Sequence, residues 1–246
     1  MMASQANGLQ RFTIFFQGRS GSTYLIEALD SHPRIRCEIE HLVGLRKAGV
    51  DGQLKWIEHL FAAEETPRVS AVGFKTKLDD MLDKDAIAEL LRRVDAKVIL
   101  LSRLNVMKMI VSWFNSERLY EATGDWNQYP PGSLLSPFEV DLEKFDRRLG
   151  LVLHGKARLE AYVRSLKLPK MQVCYEDLLT NEQRTLGQVC GFLGVESLPL
   201  RGRCIKTTSD DLRQVVTNYD ELYAQYKGTH YQLMLDEVLV PADVDD

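Results

Sequence analysis

Arg11-Phe12-Thr13-Ile14-Phe15-Phe16-Gln17-Gly18-Arg19-Ser20-Gly21-Ser22-Thr23-Tyr24-Leu25 joins a strand, a tight loop and the start of a helix. The aromatic and β-branched run 11–17 reads as a buried strand that stops where the Gly/Ser cluster begins. From Thr23, the apolar positions Tyr24, Leu25, Ile26, Ala28 and Leu29 suit an amphipathic helix closed by Ser31-His32-Pro33. A loop so placed surrounds an anion with backbone N–H groups and the positive end of a helix dipole. Gly18 and Gly21 allow close backbone approach, Ser20, Ser22 and Thr23 add donors, and Arg19 brings a charge with forked N–H groups. A plain turn capped by a serine would share this composition, so a second matching element is needed.

Outward from the loop, helices are expected over about 51–63, 83–93, 105–120, 139–166, 182–193 and 209–237. Strands are expected over 69–76, 97–102 and 171–175. Val98-Ile99-Leu100-Leu101 is the clearest core strand, lying between two helical stretches as in a parallel sheet covered on both faces. The alternation implies an α/β domain, three layers α/β/α with a mainly parallel central sheet. At 246 residues, a single domain over 1–246 is expected, with flexible tails at 1–10 and 240–246. The segment 123–137, with Trp126, Tyr129, Pro130, Pro131 and Gly132, is the long irregular stretch.

The formal net charge of −4 argues against nucleic-acid binding as the main activity, without excluding an anionic ligand in a locally basic cleft. Cys37, Cys174, Cys190 and Cys204 are scattered and read as reduced thiols, so no metal site is expected. The polar N-terminus lacks signal-peptide features and no apolar run could span a bilayer, so the expectation is a soluble, cytoplasmic protein without a membrane partner.

The stretch Gly18-Arg19-Ser20-Gly21-Ser22-Thr23-Tyr24-Leu25 resembles the 5′-phosphosulfate loop of sulfotransferases that use 3′-phosphoadenosine-5′-phosphosulfate (PAPS). Gly18 stands where that family usually has Pro. The resemblance implies that Arg19 contacts the phosphosulfate and that Ser22 and Thr23, with the loop amides, hold the 5′-phosphate. Ser102-Arg103-Leu104-Asn105 followed by Val111-Ser112-Trp113 resembles the family's 3′-phosphate motif, which implies that Arg103 and Ser112 bind that group. The spacing is more similar to the bacterial and carbohydrate-type branches than to animal cytosolic enzymes. The segment 201–208 is similar to a basic loop closing over the donor, with Lys206 first and Arg201 and Arg203 after it. Val173-Cys174-Tyr175-Glu176-Asp177-Leu178 also resembles a family segment, and reads as a strand end with acidic helix-capping residues. The whole implies a P-loop-like sulfotransferase fold with PAPS as donor co-substrate and no metal.

In the bacterial branch a His-Pro turn leads to a glutamate base. Ser31-His32-Pro33-Arg34-Ile35-Arg36-Cys37-Glu38-Ile39-Glu40 resembles it, implying Glu40 as general base, with Glu38 and His41 as neighbours. A carboxylate can serve if burial raises its pKa or if the proton leaves late in the transition state. In Gly73-Phe74-Lys75-Thr76-Lys77 a strand-end Lys75 is placed to stabilise the sulfonate or bridging oxygen. Lys77 would need a strongly lowered pKa to act as base. The acceptor is expected to be a hydroxyl, less readily an amine, of a small molecule or carbohydrate, with 126–132 as a wall over it. Two alternatives remain: an ATP-dependent kinase, though the loop lacks the Gly-Lys-Ser/Thr ending of a triphosphate loop, and a non-catalytic protein binding 3′-phosphoadenosine-5′-phosphate (PAP).

Overall fold

The computed structural model describes residues 8–62, 68–127 and 135–239. Of the expected tails at 1–10 and 240–246, residues 1–7 and 240–246 lie outside these residues, as do Tyr129, Pro130, Pro131 and Gly132, whereas Gln10 belongs to the first strand.

Strand β1 (Gln10–Phe16) leads through the loop into helix α1 (Ser22–Asp30). A short strand β2 (Ile35–Glu38) and the single-turn helix α2 (His41–Gly44) follow, then α3 (Gly49–Phe61). Next come β3 (Ala71–Thr76), α4 (Lys84–Arg93), β4 (Lys97–Ser102) and α5 (Val106–Thr123). The chain continues through α6 (Leu142–Ser165), β5 (Lys170–Cys174), α7 (Tyr175–Thr180) and α8 (Glu182–Leu193). It ends with α9 (Tyr219–Gln225) and α10 (His230–Asp236).

The five strands form one sheet in the order β2-β3-β1-β4-β5. Every neighbouring pair is parallel. Alternate side chains leave opposite faces of a strand, and the packing follows that period. Phe15, Val98 and Leu100 join Ile57, Leu91 and Leu159 of α3, α4 and α6 on one face. Phe12, Ile14, Phe16, Ile99 and Leu101 join Leu25 and Ile26 of α1 and Leu186 and Val189 of α8 on the other. The expected three-layer α/β/α architecture with a parallel sheet is what the described residues form.

Three local expectations need correction. β2 was not foreseen, because its four residues Ile35-Arg36-Cys37-Glu38 mix charge with apolar side chains at an edge. The helical stretch expected over 209–237 is broken into a single 3₁₀ turn at Leu212–Gln214 followed by α9 and α10. Asn218 causes the first break by spending its side chain on the backbone of Val140, accepting from the N–H and donating to the carbonyl, both at 2.9 Å. α9 closes at Tyr226, and Gly228, at φ 78°, lies in the turn that separates it from α10. Finally, Tyr175 begins α7 instead of ending β5.

Parallel strands bring all their C-terminal ends to one edge, where loops collect ligand-binding groups in open α/β sheets. The ends of β1, β3 and β4 deliver Gly18–Gly21, Lys75 and Arg103 respectively. Among the described residues no helix is long and apolar enough to cross a membrane.

Candidate active site

The loop after β1 is held by a bond from Ser20 Oγ to the Gln17 carbonyl at 2.7 Å. Arg19 and Gly21 both have left-handed backbone, at φ 68° and 83°. That conformation strains a non-glycine residue, and strain of this kind collects at functional loops. Gly21 has a further reason to lack a side chain: an added Cβ would lie 2.5 Å from the Tyr175 ring. We expect Gly21→Ala to cost about 1–3 kcal/mol for the left-handed backbone alone, read as a lowered Tm. An unchanged Tm would show that the loop is not so constrained. The Leu25 N–H bonds the Gly21 carbonyl at 3.0 Å, so the preceding amides of α1 start the helix without intrahelical acceptors.

Lys75, 2% exposed, donates to Ser22 Oγ at 3.3 Å and Thr23 Oγ1 at 3.1 Å. It also pairs with Glu40 Oε1 at 3.2 Å, while Lys77 holds Oε2 at 2.6 Å and reaches Asp80 at 3.5 Å. The loop hydroxyls, Lys75, Glu40 and Lys77 thus form one continuous chain of polar contacts. Burial pushes the Glu40 pKa up, but Lys75 and Lys77 outweigh it and hold the carboxyl below its ordinary value. Of the two conditions under which this carboxylate could act as a base, a pKa raised by burial is therefore not met, and late proton transfer is left. Burial lowers the Lys75 pKa against the pull of Glu40. For Lys77 burial also works downward, yet its bonds to Glu40 and Asp80 prevail and raise it. A lysine held in the charged form is the opposite of a base.

Beside the loop, Arg103 is 7% exposed and lies over the Tyr175 ring at 4.4 Å. Its Nη1 donates to the Arg19 carbonyl at 3.1 Å, and its Nε is buried with no partner. An orphaned guanidinium N–H is costly, and beside a loop of free helix-start amides it fits an anionic ligand. Ser112 Oγ accepts from Arg19 Nε at 3.2 Å. Burial, then Arg103, lowers the Arg19 pKa from its usual value.

A cavity of about 700 Å³ joins these pieces, lined by Gly18, Arg19, Gly21, Ser22 and Thr23 together with Arg103, Ser112, Glu40, Lys77 and Lys206. Of the residues assigned a donor-binding or catalytic role from the sequence, Ser20, which ties the turn, and Lys75, which stands behind the hydroxyls, are outside the lining, as are Glu38 and His41 beside Glu40. Arg201 and Arg203 are exposed and outside the lining. Trp126 lines the cavity, stacks on Tyr120 at 4.4 Å, and accepts at its carbonyl from Arg19 Nη1 at 3.1 Å.

Sequence reasoning gave Tyr175 no place in the site, although its ring fills the space beside Gly21 and under Arg103. Glu176 was expected to cap a helix; its carboxylate instead accepts from the N–H groups of Leu104 and Asn105, in the turn before α5, at 3.0 and 3.1 Å, and Asn105 is the residue that caps α5. Glu27 of α1 was also missed; it accepts from the N–H groups of Arg203 and Cys204 at 2.8 and 2.9 Å, anchoring the 201–206 loop.

No protein-family model matches the chain, and no curated protein matches it. Among solved structures, the chain is similar to a sulfotransferase from Alicyclobacillus acidocaldarius, with a TM-score of 0.49 and 18% identity over 92% of this chain and 94% of that one. It is also similar to the sulfotransferase domain of the olefin synthase from Synechococcus PCC 7002, with a TM-score of 0.37 and 16% identity over 78% of this chain and 76% of that one.

Proposed function

We propose that the protein is a sulfotransferase that moves a sulfonate from PAPS to a hydroxyl, or less readily an amine, of a small molecule or carbohydrate. The observation that carries the reading is one cavity lined by two adjacent sets of cations and hydroxyls, with a carboxylate beside the first. The loop of Gly18–Thr23 forms one set, Arg103 and Ser112 form the other, and Glu40 sits 3.2 Å from the lysine that holds the loop hydroxyls. When bound, the donor supplies a sulfonate attached to a phosphate that leaves readily.

On this reading the amides before Leu25, with Ser22 and Thr23, hold the 5′-phosphate, and Arg103 with Ser112 holds the 3′-phosphate. Glu40 takes the acceptor proton as the new O–S bond forms and the S–O bond to phosphate breaks. Arg19 and Lys75 stabilise the charge that collects on the departing phosphate, in a site where fixed cations act with little water between them. Positioning and charge stabilisation then carry the rate, with no redox step. Trp126 forms part of the wall on the acceptor side.

Calorimetry with PAP and with ATP, paired with a labelled-PAPS assay over an acceptor panel, tests this. The expected result is PAP binding at least about tenfold tighter than ATP, a difference of about 1.4 kcal/mol, with label transferred to an acceptor. Preferential ATP binding would favour a kinase, and PAP binding without transfer to any acceptor would leave a nucleotide-binding protein.

A further inference from the structure

Lys108 is an unusual residue for its place. It stands in the first turn of α5, where the helix dipole disfavours a cation, and its side chain is only 4% exposed. Buried lysines need a partner, and the partner comes from 102 residues away: Asp210 Oδ2, at 2.9 Å. The same carboxylate accepts from Lys206 Nζ on Oδ1 at 2.8 Å and from the Leu239 N–H on Oδ2 at 2.6 Å. The Asp210 side chain is 3% exposed. Its bonds to Lys206 and Lys108 outweigh burial and hold its carboxyl well below the ordinary range. Glu237, which is more exposed, stands 3.8 Å from Lys108 and accepts from Asn105 Nδ2 at 2.8 Å.

Both lysines line the cavity at its Arg103–Ser112 end, and Arg103 is close enough to help lower the Lys206 pKa after burial has done so. Each ammonium has three N–H donors, and Asp210 takes one from each, leaving others for a ligand. Arg103, Lys108 and Lys206 are three cations against Asp210 and the more exposed Glu237, so the net charge here is positive. A phosphomonoester carries close to two negative charges at neutral pH.

Resting on the sulfotransferase reading, we propose that Lys108 is a direct ligand of the donor's second phosphate and that Asp210 is the positioning residue that aims Lys108 and Lys206 at it. Asp210 lets two ammonium groups pack beside Arg103 without ligand, so the subsite is built before the nucleotide arrives. It also binds the segment carrying Lys206, and Leu239 after it, to the start of α5. The pair makes this end of the cavity the discriminator between nucleotides with and without the additional phosphate.

The test titrates PAP and adenosine 5′-monophosphate into the full-length chain by calorimetry. The wild-type protein should bind PAP at least about a hundredfold more tightly, since hydrogen bonds to a charged group contribute about 1.5–3 kcal/mol each. Asp210→Asn should weaken PAP by about tenfold and leave the monophosphate within about twofold, with Asp210→Glu restoring most of the loss. Lys108→Met should narrow the PAP preference similarly, and it leaves Asp210 paired with Lys206, so it decides the matter if Asp210→Asn does not fold. Equal weakening of both nucleotides, or an unchanged preference in Lys108→Met, would overturn the assignment while the two-phosphate site stands. A wild-type protein without preference for PAP would overturn the sulfotransferase reading itself.

Discussion

Glu40→Gln is expected to lower turnover by about 10²–10⁴-fold, the usual worth of a positioned general base, while PAP affinity is unchanged or slightly tighter. The amide keeps the size of the side chain and an acceptor for one of the lysines, but it takes no proton. Lys75, 3.2 Å from Glu40 and bonded to Ser22 and Thr23, loses its counter-ion in this variant. Its charge is then less neutralised beside the donor loop, so nucleotide binding should not suffer. The pH profile separates this base from a lysine. With its pKa held below the ordinary 4.5, Glu40 is ionised throughout the neutral range. Any acid limb that it produces in kcat/KM must lie below that value. The sign for stability is the same: a depressed carboxylate contributes fully above its unfolded pKa, and the contribution is lost as pH falls through the folded value. So weak a base acts late, when the acceptor proton has become acidic in the transition state. Normal turnover in Glu40→Gln would move the base elsewhere.

Arg103→Ala should remove PAPS-dependent sulfonation at ordinary donor concentrations. Truncating one partner of a buried charged contact costs about 2–5 kcal/mol, or roughly 30- to 5,000-fold in donor affinity. The residue has two contacts to lose, the Arg19 carbonyl at 3.1 Å and the Tyr175 ring at 4.4 Å, and with them a buried Nε–H that has no protein partner and is left for the ligand. Arg103→Lys should be intermediate, since an ammonium keeps the charge but neither the planar stack nor the fork. Donor KM and PAP affinity give the readout, and wild-type values in Arg103→Ala would end the donor-site assignment.

The phosphate loop and β4 were legible because their signals are local. A strand, a Gly/Ser cluster and an apolar helix face lie together within 11–29, and Val98–Leu101 announces a strand buried on both faces. Lys75, Arg103 and Ser112 converge because parallel strands send their ends to one side, and β3 and β4 could be read; Glu40 joins them from β2, which could not. What escaped is non-local. Tyr175 meets Gly21 across 154 positions, and nothing near either residue says that a ring will need that space. The ion pair of Lys108 with Asp210 joins a helix start to a loop with no sequence periodicity. The break at Asn218 depends on Val140 being alongside, which helical propensity in the segment cannot express.

The edge strand β2 divides the responsibilities of the sheet. Glu40 follows it by two residues, and β2 is paired through Ile35–Glu38 with β3 alone. The donor loop hangs from β1, which has a partner on each side, in β3 and β4. Edges open locally at lower free energy than the centre of a sheet, so substitutions over 35–48 can re-aim the carboxylate without disturbing the nucleotide end. On the proposed reading, acceptor range is the property that substitutions at this edge change, and donor binding the one they leave alone.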